Sequence, residues 1–261
     1  MISIERFKQL EMEGGSPARL PVDANSNPTV YFEFAIADLN DDHGPRSRIN
    51  AFSNAKRALH FQVEILAAAF GIEHATSVNR RAFPAVLEFC SKCGVVTPRI
   101  LRKLNRVRNA MEHEYYFPTR EETEDFVDVV ELFLAATSQY IHNFPAEIEL
   151  ADYDDALNGI ARGYASAKLE PGLGVIKIEA SDLTCDNESV HSAAKLEREK
   201  LAKKIAENEK TAEVLILGDP DNVAYRIAAK SLRQDLSREI SVNDPDYFDW
   251  TKLIIEIHTT W

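Results

Sequence analysis

Apolar residues recur at three- and four-residue steps through much of the first 145 positions. A helix returns to one face at those steps, so the pattern predicts a series of amphipathic helices. Tyr31, Phe34, Ala35 and Leu39 mark a helix over 29–42, ended by Gly44-Pro45. Ala51, Ala55, Ala58, Leu59, Val63 and Leu66 mark the next over 46–71, with Gly71 as its C-terminal stop. Phe83, Val86, Leu87 and Cys90 mark a third over 82–93, closed by Gly94. A fourth runs over 97–117: Thr97 suits the N-cap, Pro98 the first helical position, and Ile100, Leu104, Val107 and Met111 form one stripe. Pro118 forbids its continuation. Thr119-Arg120-Glu121-Glu122 reads as a capping box opening a fifth helix that reaches about 141, and Pro145 closes the set. Amphipathic helices joined by short links predict an antiparallel α-helical bundle.

From 146 the period changes. Strand-like runs stand at 163–169, 175–180, 212–217 and 253–258, and helical stretches at 189–207 and 222–238. Pro171-Gly172 predicts a hairpin spanning 161–181. The order β-β-α-β-α-β predicts a small α/β domain with a mixed β-sheet. Residues 1–28 read as an arm: a short helix near 4–12, then the loop signals Gly14-Gly15-Ser16-Pro17 and Asn25-Ser26-Asn27-Pro28. The fold class is therefore α+β, in three parts: an arm over 1–28, a helical bundle over 29–145 and an acidic α/β domain over 146–261.

Charge sharpens this division. The formal net charge is −12. From Glu147 onward there are 23 acidic and 14 basic residues, a net of −9, which leaves −3 for the first part. The C-terminal part should repel nucleic acid, so any RNA contact needs a local patch on the N-terminal part. No apolar run approaches the ~20 residues that span a bilayer, and the N-terminus lacks a signal-peptide pattern; both point to a cytoplasmic protein without membrane association. Three cysteines, an odd number, argue against a disulfide framework. Cys90 and Cys93 form Cys-x-x-Cys in a helical stretch with no second ligand pair at zinc spacing, so they read as buried helix residues. His60, within the long helix over 46–71, reads as a structural histidine. Asp152, Asp154 and Asp155 begin like a calcium loop, but no glycine or glutamate completes it. Leu217-Gly218-Asp219-Pro220-Asp221-Asn222 follows a strand-like run as phosphate loops do, yet its aspartates would repel phosphate and suit helix capping better. Neither a metal nor a cofactor is implied.

One constellation carries chemistry. Arg108, Asn109, His113 and Tyr115 read Arg-Asn-x-x-x-His-x-Tyr at the end of the fourth helix. An arginine grips phosphate through charge-assisted hydrogen bonds, and a histidine moves protons near neutral pH. Arg99, Arg102, Lys103 and Arg106 make a basic stripe at helical steps that leads toward Asn109 and His113. It is either a track for a phosphate backbone or a solvated face complementing the helix C-terminus. Arg108 and His113 are five residues apart, about 140° around an ideal helix, whereas Asn109 and His113 share a face. For Arg108 and His113 to act together, the helix must unwind near its end or two copies must share the site.

The motif resembles the Arg-x4-6-His signature of the HEPN superfamily, and the added x-Tyr resembles its toxin-like subset. The resemblance covers about 30–144 and includes Asn50-Ala51-Phe52-Ser53-Asn54-Ala55-Lys56-Arg57-Ala58-Leu59-His60, which looks like a HEPN first long helix. It implies a homodimer whose motif residues line one cleft, and a metal-independent endoribonuclease of toxin or phage-defence type. His113 would be the general acid or base, Arg108 would hold the scissile phosphate, and Asn109 would orient His113 or the substrate. Cleavage would leave a 2′,3′-cyclic phosphate. Tyr115 would be the position modified by a partner nucleotidyltransferase; alternatively it joins Tyr116 and Phe117 in an aromatic plug at the bundle end. Glu112 and Glu114 flank His113 with negative charge, which keeps open a second reading, a non-catalytic HEPN-fold dimerisation or binding protein.

Overall fold

The apolar stripe centred on Ala55 and Leu59 forms the central element of the molecule. The computed structural model describes residues 3–23, 27–41, 44–80, 82–95, 117–154, 160–184, 187–206, 224, 227–228 and 233–260. In chain order these give α1 (Ile4–Phe7), β1 (Glu11–Ala18), α2 (Pro28–Asp41), α3 (Pro45–Ala69), a 3-10 turn (Ile72–His74), α4 (Phe83–Lys92), α5 (Arg120–His142), β2 (Phe144–Asp154), β3 (Ile160–Leu169), β4 (Val175–Thr184), α6 (Asn187–Ala206), β5 (Arg233–Ser241) and α7 (Tyr247–Thr260).

Helix α3 carries Pro45 at its first turn and buries Ala51, Phe52, Ala55, Ala58, Leu59, Val63 and Leu66. It packs against α2, α4 and α5. Phe52 stacks on Phe126 of α5 with ring centroids 3.9 Å apart. Burying side chains of this size stabilises by about 1.5–3 kcal/mol each, so this seam carries much of the helical layer. The capping box that opens α5 is complete: Glu122 N–H donates to Thr119 Oγ1 at 3.2 Å, and Thr119 N–H donates to Glu122 Oε2 at 2.8 Å.

The sheet differs from the mixed arrangement that the element order predicts. All four pairings are antiparallel, in the order β1-β2-β3-β4-β5. β4 and β5 are direct neighbours, so the intervening α6 is an excursion and no crossover to a parallel strand is needed. Inward positions Ile148, Leu150, Ala165, Ala167, Ile176, Ile178 and Ile240 are buried. Their alternates Glu149, Lys168, Lys177, Glu179 and Glu239 are exposed, the pattern of an antiparallel sheet with one wet face. The hairpin turn over Pro171-Gly172 is where the sequence places it.

Four further expectations are corrected. Residues 1–28 are no free arm: Gly14-Gly15-Ser16-Pro17 lie inside β1, which pairs with β2 across two register shifts. An edge strand tolerates glycine and proline because one side of it needs no ladder. Pro145 does not close the helical set but lies in β2. The run 253–258 is helix, part of α7. Its β-branched residues read as a strand in isolation, but the buried set Tyr247, Trp250, Thr251 and Ile254 has helical spacing. The stretch 222–238 also divides, since 233–238 belongs to β5 while 224, 227 and 228 are helical. The run 212–217 lies outside the described residues.

Buried residues of the helices and of the sheet form one contiguous cluster, from Phe7 to Ile255. The 145/146 boundary therefore does not separate two cores. Phe70 of the α3 C-cap meets Phe144 of β2 at 5.0 Å, Tyr247 Oη donates to the Phe70 carbonyl at 2.8 Å, and Phe7 meets Trp250 edge-on at 4.9 Å.

Candidate functional site

All eight residues singled out by the motif and its basic stripe, Arg99, Arg102, Lys103, Arg106, Arg108, Asn109, His113 and Tyr115, lie outside the described residues. The structure describes what flanks them. On the N-terminal side Val95 is buried, and its N–H donates to the Cys90 carbonyl at 3.2 Å. On the C-terminal side Phe117 is 65% exposed, followed by buried Pro118 and the Thr119 cap. An exposed Phe117 is no part of a packed aromatic plug. Both flanking helices, α4 and α5, pack on α3.

Cys90 and Cys93 are buried free thiols. Burial pushes the Cys90 thiol up to about 12, helped down only slightly by a backbone hydrogen bond. Burial, then the neighbouring Cys90, raises Cys93 as well. Thiols held protonated are poor nucleophiles, so this Cys-x-x-Cys is packing rather than redox chemistry. His60 lies face to face with Phe83, centroids 3.8 Å apart and planes 6° apart, which is a structural role. Asp152 is not part of a cation loop: its carboxylate accepts from Arg6 at 2.5 Å, with both side chains buried.

Among the described residues, no group of three or more His, Cys, Asp and Glu is placed to hold a metal ion. No helix there is long and apolar enough to cross a membrane. The wet face of the sheet holds a trough of about 820 Å³ lined by Glu149, Tyr164, Ser166, Glu179 and Ser181 among others. Tyr153 donates to Glu13 beside it, which raises the phenol. This surface is acidic and hydroxyl-rich, so it would repel a phosphate backbone, as the sequence charge requires.

A second recess was not signalled by any motif. It lies between 19–23, the start of α2 and the end of α5, over Gln62 of α3. The one trace in the sequence is an amide placed within the apolar stripe of a long helix, at Gln62 between Leu59 and Val63. No protein family, curated protein or solved structure matches this chain.

Proposed function

We propose that this protein is a homodimeric, metal-independent endoribonuclease of the HEPN type, acting as a toxin or in phage defence. The observation that carries the reading is the spacing Arg108-Asn109-x-x-x-His113-x-Tyr115, which falls between α4 and α5 in a chain of formal net charge −12. In the proposed reaction the ribose 2′-hydroxyl attacks the adjacent phosphorus and the 5′-oxygen leaves. His113 takes the hydroxyl proton or gives one to the leaving oxygen; an imidazole ordinarily titrates near pH ~6.5, which suits either transfer around neutrality. Arg108 grips the phosphate and offsets the charge that builds on it. Asn109 orients the imidazole or the substrate. Arg99, Arg102, Lys103 and Arg106 supply the local positive track that an RNA backbone needs on a protein of net charge −12. Tyr115 is the residue that a partner nucleotidyltransferase would modify to silence the enzyme.

A second reading is favoured by Glu112 and Glu114, which bracket His113 with negative charge. It is a non-catalytic protein that uses the same bundle to dimerise or bind. RNA cleavage by the wild-type chain, compared with Arg108→Ala and His113→Ala at equal dimer content, separates the two. Loss of cleavage by a hundredfold or so in each variant is expected for a general acid–base pair of groups. Undiminished cleavage in both variants would remove Arg108 and His113 from the site.

A further inference from the structure

The recess over Gln62 is a groove of about 540 Å³, within the roughly 300–1,000 Å³ that small organic ligands occupy. One wall is the segment 19–23, held to the end of α5 by Leu20 N–H donating to the Ile141 carbonyl at 2.9 Å. Another is the first turn of α2. There Asn27 Oδ1 accepts from Val30 N–H at 3.2 Å, as an N-cap does. Pro28 follows with no N–H, and Thr29 N–H has no acceptor among the described residues. The first turn of α2 itself carries no acidic residue to offset its partial positive charge, and the nearest acidic residue lining the recess is Asp23.

The second, independent feature is Gln62, which is 3% exposed and lines the groove. Its Nε2 donates to Thr137 Oγ1 at 3.0 Å. That hydroxyl gives its own proton to the Phe133 carbonyl at 2.7 Å, so it can only accept from Gln62. The amide is thereby fixed with nitrogen toward Thr137, and Oε1 has no hydrogen-bond donor among the described residues but is not sealed from solvent. A buried amide oxygen without a partner is costly, so a held orientation that offers it to a groove is a built acceptor. Arg19 and His142 stand exposed at the mouth with no ion pair among the described residues. Leu20, Pro28, Leu134 and Ile141 supply apolar wall. Asp23 also lines the mouth and sets a limit on how much negative charge the groove accepts.

From this geometry we infer that the groove binds a small organic monocarboxylate with an apolar body and one N–H or O–H donor. The carboxylate meets Arg19 and Thr29 N–H, the body lies against Leu134 and Ile141, and the donor bonds to Gln62 Oε1. None of these residues belongs to the Arg108–His113 motif, so the inference stands apart from the nuclease reading. Calorimetric titration of the full chain with indole-3-acetate tests it. Two companion probes are 1-methylindole-3-acetate, which lacks the donor, and tryptamine, which replaces the carboxylate with an ammonium. Indole-3-acetate is expected to bind, and each companion to bind about threefold to tenfold more weakly, the worth of one hydrogen bond or charge contact. Exposed Arg19→Ala should weaken indole-3-acetate by a similar factor and leave tryptamine unchanged. Gln62→Met should weaken indole-3-acetate but not its N-methyl analogue. Absence of indole-3-acetate binding, equal binding of all three probes, or binding indifferent to Arg19→Ala overturns the inference.

Discussion

Arg6 and Asp152 show how much a single buried contact can decide. They are 146 residues apart in sequence and meet at 2.5 Å with both side chains out of water. Breaking such a pair strands a charge, which costs about 3–5 kcal/mol, whereas replacing both partners with apolar residues is often neutral. Asp152→Ala should therefore lower the urea midpoint strongly, and Arg6→Met with Asp152→Leu should recover most of the loss. Equal losses in the single and double variants would contradict this. The pairing was illegible in the sequence, where Asp152 stood among aspartates that begin like a calcium loop. The cysteines were more readable, since their helical setting already argued for burial. Because Cys90 is raised from 9.0 to about 12 in the folded chain, the unfolded chain releases its proton first. The contribution of Cys90 to stability should be constant below pH 9.0 and fall as pH rises from there toward 12. Cys90→Ala should reduce that alkaline slope; an unchanged slope in denaturant midpoints would show that Cys90 does not set it.

At the scale of elements, the helical layer is fastened to the sheet where the end of α3 meets the β3–β4 turn. Gly71 and Gly174 both have positive φ, at +79° and +63°, and a Cβ on Gly71 would lie 2.1 Å from Gly174 Cα. Gly172 N–H donates to the Ala69 carbonyl at 2.8 Å, and Val242 N–H to that of Gly174 at 2.7 Å. Gly71→Ala meets both backbone strain and a backbone clash, so it should destabilise by at least about 1–3 kcal/mol. Gly172→Ala has a positive φ but open space around it, so it should cost about 1 kcal/mol. Thermal unfolding of the two variants checks the ranking, and equal losses would contradict a close glycine–glycine contact. Gly71 was legible as a helix stop, but its partner was not, because nothing local announces a contact with residue 174. Helices with long apolar stripes and clear caps, α3 and α5, were legible to within a few residues. The misread elements have physical causes. β1 is an edge strand built from glycine and proline, and α7 ends in a short β-branched run whose helical period shows only when Tyr247 and Trp250 are included.

For the molecule as a whole, charge and core lead in different directions. The core is continuous across helices and sheet, although charge and hydrophobic period in the sequence divide the chain near 145. Composition reports what each segment is made of, while the β1–β2 pairing that joins distant parts of the chain is a long-range choice. The trough on the wet face of the sheet, with Glu13, Glu149 and Glu179 in its lining, is a poor surface for a phosphate backbone. Within the candidate site, residue types and spacing were legible, but convergence was not. On an ideal helix a five-residue step amounts to about 140°, so the spacing of Arg108 and His113 does not by itself bring them together. The groove over Gln62 was hidden for a related reason, since it is built from three segments with no shared motif. The most direct measurement of the central claim is phosphorus NMR of the products formed when the purified protein meets RNA in EDTA. A 2′,3′-cyclic phosphate terminus, absent with His113→Ala, is the expected result. Intact RNA, or cleavage that appears only when a divalent cation is restored, would contradict it.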